Sequence, residues 1–168
     1  MAPPKRVQFM TYPTRTEVEA RLDSARMVFL KKDRHLLEVK ASERSITHKF
    51  AEALQQGFGG WDVDCEYNRV AFCSTDPKKL HVWAAANEGK TGRVFPDIIV
   101  HQRQRQGESK ETRNAVALEG KRSTASKKSK KADREKLQAF RKELRYEHAV
   151  QLVFTVGHAP NISWEFVD

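Results

Sequence analysis

Two short runs decide how this chain reads: Val94-Phe95-Pro96-Asp97-Ile98-Ile99-Val100 and Asn114-Ala115-Val116-Ala117-Leu118-Glu119-Gly120-Lys121. Each is apolar and strand-like, and each carries acid within it. Residues 95–101 are apolar on both faces of such a strand, which predicts a central position in a sheet. In the second run Glu119 and Lys121 stand two apart and share one face, while Gly120 turns to the other. The polar residues 102–113 between them, with Gly107, read as an exposed hairpin-type loop.

Upstream, Thr14 or Thr16 can cap a helix running to about Leu30, with Val18, Leu22, Ala25 and Phe29 at helical spacing. Leu36, Leu37 and Val39 form a short apolar patch of open type. Ser42 can cap a second helix from Glu43 to about Gln56, with Ile46, Phe50 and Leu54 as its inner stripe. At about 100° per residue, Glu43 falls close to the line of Ile46 and Phe50, and Glu52 points nearly the opposite way. Glu43 is therefore either an acid on the inward face or a first-turn acid complementing the helix dipole. After the turn Gly57-Phe58-Gly59-Gly60, Trp61, Val63, Cys65 and Tyr67 alternate with Asp62, Asp64, Glu66 and Asn68, which predicts a half-buried strand. Residues 70–87 are ambiguous, with Leu80-His81-Val82-Trp83 a short strand or turn and Asp76-Pro77 a loop.

Downstream, residues 121–131 are basic and Ser-rich and read as a mobile connection. Asp133 is expected to cap a helix to about Tyr146, with Leu137, Phe140 and Leu144 inward. Residues 151–156 form an apolar strand, 157–161 a turn, and 163–167 a last strand on an edge. The order helix, strand, strand, strand, helix, strand predicts an α/β fold, a mixed central sheet flanked by helices. One domain over residues 1–168, with a helical lead-in of about 1–34, is expected from the length.

Charge is unevenly spread. The net charge is +9, and residues 101–148 hold 15 Lys/Arg against 7 Asp/Glu, so +8 of it lies there. A localised basic region points to a polyanion partner, nucleic acid first, with a merely solvated surface as the alternative. No run of about 18 apolar residues exists, so no membrane span is expected. Met1-Ala2-Pro3-Pro4-Lys5-Arg6 lacks the apolar stretch of a secretory signal, and Cys65 and Cys73 make no disulfide framework or metal spacing. A reducing cytoplasm is the expectation.

The central runs suggest chemistry. If their strands are neighbours, Asp97 approaches Glu119. Two close carboxylates resist joint ionisation unless a cation sits between them. Mg²⁺, which Mn²⁺ can replace, suits that place: it is hard, favours oxygen, and binds through one or two carboxylates plus substrate phosphate. Lys121 would stabilise the attack, and such preorganised charge is worth about 3–4 kcal/mol per group. Pro-Asp and acid-x-Lys are each common, and an ordinary wet strand end can carry them. The specificity lies in their combination, with a helix acid upstream and a basic segment after. His48, His81 and His101 have no metal spacing and read as structural.

Pro96-Asp97 … Glu119-Gly120-Lys121, in this order of elements, resembles the PD-(D/E)xK nuclease superfamily, the restriction-endonuclease-like fold. Residues 43–48, 61–69 and 95–101 resemble small, mostly uncharacterised bacterial and prophage members, and the likeness covers roughly residues 35–157. The resemblance implies Asp97 and Glu119 as metal-binding acids, the Gly120 carbonyl as a further ligand, Lys121 as the catalytic lysine, and Glu43 as the additional helix acid of the catalytic and metal set. It implies a metal-dependent nuclease acting on DNA before RNA, and a homodimer as one arrangement. Arg122, Lys127, Lys128, Lys130 and Lys131 would meet the nucleic-acid backbone through sequence-independent contacts. Two departures stand out. Gly120 replaces the usual apolar residue between acid and lysine. The last helix lacks Gln-x-x-x-Tyr, since Gln138 is followed by Lys142. A catalytically inactive nucleic-acid- or protein-binding module within a larger assembly, defence or mobile-element in kind, is the alternative.

Overall fold

The computed structural model describes residues 11–67, 95–103 and 113–168. In chain order these form helices α1 (Arg15–Lys32), α2 (Arg34–Glu38) and α3 (Glu43–Gln55), then strands β1 (Asp62–Cys65), β2 (Ile98–Gln102) and β3 (Arg113–Arg122). Helix α4 (Lys127–Leu144) and strands β4 (His148–Thr155) and β5 (Asn161–Phe166) complete the order. The predicted α/β class and succession of elements hold. The readings made for residues 70–87, His81 and most of the loop at 102–113 lie outside the described residues.

The strands lie side by side as β1-β2-β3-β4-β5. Neighbours are antiparallel except β3 and β4, which run parallel. Parallel strands need a crossover, and α4 is that crossover. Its Leu137 and Phe140 pack on Ile99, Ala117 and Ala149 on one face of the sheet. On the other face Leu22, Phe29, Ile46, Phe50 and Leu54 pack against Val100, Val116, Leu118, Leu152 and Phe154 in a larger core. β2 and β3 are thus covered on both sides, which is why Ile98, Ile99 and Val100 are all apolar and all buried.

Local signals account for the helix ends. Thr14, rather than Thr16, caps α1, and with Glu17 it forms a reciprocal capping box. The Ser42 hydroxyl accepts the Ser45 N–H at 3.1 Å and starts α3. The patch at Leu36 and Leu37 is α2, which carries Leu37 into the core.

Four expectations are corrected. β2 begins at Ile98, not at residue 95, and Phe95 is exposed. Pro96 has no N–H for a ladder, and the carbonyls of Pro96 and Asp97 are taken by the Glu66 N–H at 3.1 and 3.4 Å. Residues 121–131 are not one loose connection. β3 runs to Arg122, and the Ser126 hydroxyl accepts the Ser129 N–H at 3.1 Å, so α4 starts at Lys127. Lysine is a good helix former once a cap is present. Asp133 accordingly lies inside the helix rather than at its cap, and the helix ends at a left-handed Arg145 (φ 54°) instead of running to Tyr146. No helix among the described residues is long and apolar enough to cross a membrane.

Candidate active site

Strand alternation at the end of β3 sends Glu119 and Lys121 to the face covered by α4, and Gly120 to the face covered by α3. Ile98, the first residue of β2, pairs with Leu118. Asp97, just before it, therefore comes to the Glu119–Gly120 step. Its Oδ2 accepts the Gly120 N–H at 2.8 Å. In an extended strand a residue's N–H and C=O leave on the same side. The Gly120 carbonyl thus faces the side on which Asp97 lies.

The glycine has a packing reason. A Cβ at position 120 would sit 2.6 Å from Cε2 and 3.1 Å from Cζ of Phe154, and 3.4 Å from the Thr47 hydroxyl. Phe154 is fully buried and meets Phe50 edge-on, ring centroids 6.2 Å apart. A ring from β4 fills the space that an apolar side chain would occupy beneath the strand.

Glu119 is 1% exposed. Its Oε1 lies 2.7 Å from Nζ of Lys136 on α4, a largely buried ion pair. Burial pushes the Glu119 carboxyl up to about 8; the Asp97 charge adds to the push and Lys136 opposes it. Burial also raises Asp97, against the Gly120 N–H, Lys136 and Lys121.

Lys121 pairs with other acids. Its Nζ is 3.3 Å from Glu43 Oε2 and 3.3 Å from Asp133 Oδ2. Burial pulls the ammonium down, but Asp133, Glu43 and Asp97 outweigh it, so its pKa is raised and the group stays charged. Glu43 also has Arg122 Nε 3.7 Å from its Oε1. A cleft of about 390 Å³, lined in part by Glu43, Arg44, Thr47, His48, Glu66 and Asp97, opens here.

Asp97, Glu119, Lys121 and Glu43 thus meet at one end of the sheet, with distinct neighbours. Among the described residues no three His, Cys, Asp or Glu side chains converge as a metal cluster. Glu43, expected among the metal acids, pairs with Lys121 and Arg122. Glu52 is exposed and pairs with Lys49 and His48.

Of the five basic candidates, Lys127, Lys128 and Lys131 are exposed. Lys130 turns inward and donates to the Ser123 carbonyl at 2.9 Å. α4 has no acid in its first turn, so its positive end and these lysines add.

The sequence reading missed Lys136 altogether and gave Asp133 only a capping role. Both lie on the stripe of α4 that carries Leu137 and Phe140, and that spacing was a usable signal. Gln151, level with Glu119 in the parallel register, donates to the Lys130 carbonyl at 2.8 Å and anchors the start of α4.

Comparison with protein-family models, curated proteins and solved structures finds no match for this chain.

His101 belongs to a separate cluster. Its Nε2 is 2.8 Å from Asp64 Oδ2, which also accepts the Arg103 Nε–H at 2.8 Å. Burial would raise Asp64, but His101 and Arg103 hold it down to about 2. These contacts fasten β1, the outermost strand on that side among the described residues, to β2.

The acid pair suits a hard divalent cation. It offers two carboxylates and, on the same side, a main-chain carbonyl, and leaves other positions to water and phosphate. The buried Glu119 Oε1, which the Lys136 ammonium meets at 2.7 Å, is the oxygen such an ion would contact.

Proposed function

We propose that this chain is a metal-dependent nuclease of the PD-(D/E)xK kind, hydrolysing phosphodiester bonds of nucleic acid, DNA first. The carrying observation is the half-buried Asp97, which accepts the Gly120 N–H, brought to the strand step of the buried Glu119, with a charged Lys121 on the next residue. Mg²⁺ or Mn²⁺, held by Asp97, Glu119 and the Gly120 carbonyl, would polarise the phosphate and neutralise charge in the transition state. Lys121 directs its ammonium at the phosphate oxygens on which charge develops. Glu43 and Asp133 keep that ammonium charged and in place; they are positioning residues. Lys127, Lys128 and Lys131 meet backbone phosphates without reading sequence.

The inactive-module alternative drew on Gly120 as a departure from the nuclease motif. The Phe154 ring accounts for that glycine by packing, which favours the enzyme.

The test is cleavage of linear, circular and single-stranded DNA and of RNA with Mg²⁺ or Mn²⁺. Asp97→Asn and Lys121→Ala should each lose about 10²–10³-fold in rate with the circular-dichroism spectrum kept. Full activity in both variants overturns the assignment.

A further inference from the structure

We infer that Lys136 is a resident cation on the Glu119 carboxyl group, which a divalent metal must displace in order to bind. The inference rests on the metal reading of the same site and adds a competition to it.

The geometry carries it. Lys136 Nζ is 2.7 Å from Glu119 Oε1, with side chains 18% and 2% exposed. A second polar contact, with the Phe95 carbonyl at 3.3 Å, lies two residues before Asp97. The ammonium therefore bridges the segment that carries Asp97 and the acid that Asp97 faces. Lys121 is engaged by Glu43 and Asp133. Among the described residues Lys136 alone forms an ion pair with Glu119.

Two cations cannot share one buried carboxylate oxygen at contact distance without strong repulsion. A buried acid with no partner is itself unfavourable. Lys136 solves the second problem and so creates the first: it keeps the pair folded without metal and occupies an oxygen that metal needs. Its four-carbon stem, rooted on α4 and partly exposed, gives the ammonium a way out to water.

The test is Mn²⁺ titration by calorimetry on wild type, Lys136→Gln and Lys136→Arg, with Asp97→Asn as control. Lys136→Gln should bind Mn²⁺ at least about tenfold tighter than wild type. Lys136→Arg, which keeps the charge, should bind about as wild type does. A second measurement avoids any folding defect of the variants. In wild type, Mn²⁺ should raise the acetylation rate of Lys136 relative to Lys127, read by mass spectrometry. Equal affinity in wild type and folded Lys136→Gln, or an unchanged acetylation ratio on saturation with Mn²⁺, overturns the competition and leaves the metal site standing. No Mn²⁺ binding in any of the proteins overturns the metal reading, and the competition with it.

Discussion

Gly120→Ala tests whether the motif glycine is a packing demand. The new Cβ would lie 2.6 Å from a ring carbon of Phe154, closer than Cβ contacts go in folded proteins. Phe154 is fully buried and backed by Phe50, so the ring cannot swing clear. Overpacking of this kind costs about 1–3 kcal/mol. Stiffening the unfolded chain at a former glycine returns about 0.4–1 kcal/mol. With so short a contact the upper half of the first range applies, and the net loss is about 2 kcal/mol. For a chain of this size that lowers the melting midpoint by about 4–8 °C. The assay is urea unfolding followed by tryptophan fluorescence. Shortening the ring in Phe154→Leu should rescue part of the loss, with a coupling of about 1 kcal/mol or more between the two sites. Gly120→Ala as stable as wild type, or strict additivity with Phe154→Leu, would refute the packing account.

Two further outcomes follow from the charges. In the presence of chelator, stability should fall as pH rises from about 5 to about 8. Folded Glu119 keeps its proton up to about 8 against an ordinary value of 4.5, so the folded state binds more protons in that window. The contribution is full below the lower value and gone above the higher. Glu119→Gln should flatten the slope, and identical slopes in both proteins would contradict it. Asp64, held down to about 2 from 3.8, works in the opposite sense only at lower pH, so the windows separate. Glu43→Gln removes one of two partners from Lys121, a partly exposed ion pair worth ~1 kcal/mol, and should lower kcat about fivefold. Mn²⁺ affinity should not change. A large loss of metal binding would instead make Glu43 a ligand.

What was legible in the sequence was whatever one face of one element decides. Val18, Leu22, Ala25 and Phe29 mark α1, and all are buried. The apolar run at β3 and the inward position of Glu43 could be read from spacing. α4 was harder because its first turns are a run of lysines and serines, which look like a solvated loop unless Ser126 is taken as the cap. That misreading hid Lys136 and the inward role of Asp133. The importance of Phe154 for Gly120 was not legible at all, since it depends on β4 lying parallel to β3. Pairing partners across a crossover leave no local pattern.

The sheet is covered unequally. Three helices and most of the large side chains lie over one face, while α4 alone covers the other. Glu119 and Lys121 point to the lightly covered side; Gly120 is where the two sides touch. The protein thus keeps its durable mass and its adjustable part on opposite surfaces. Variation along the inward stripe of α4 can retune the charge around the acids without disturbing the aromatic layer beneath. By the same token a defect in that aromatic layer reaches the acids through a single backbone amide.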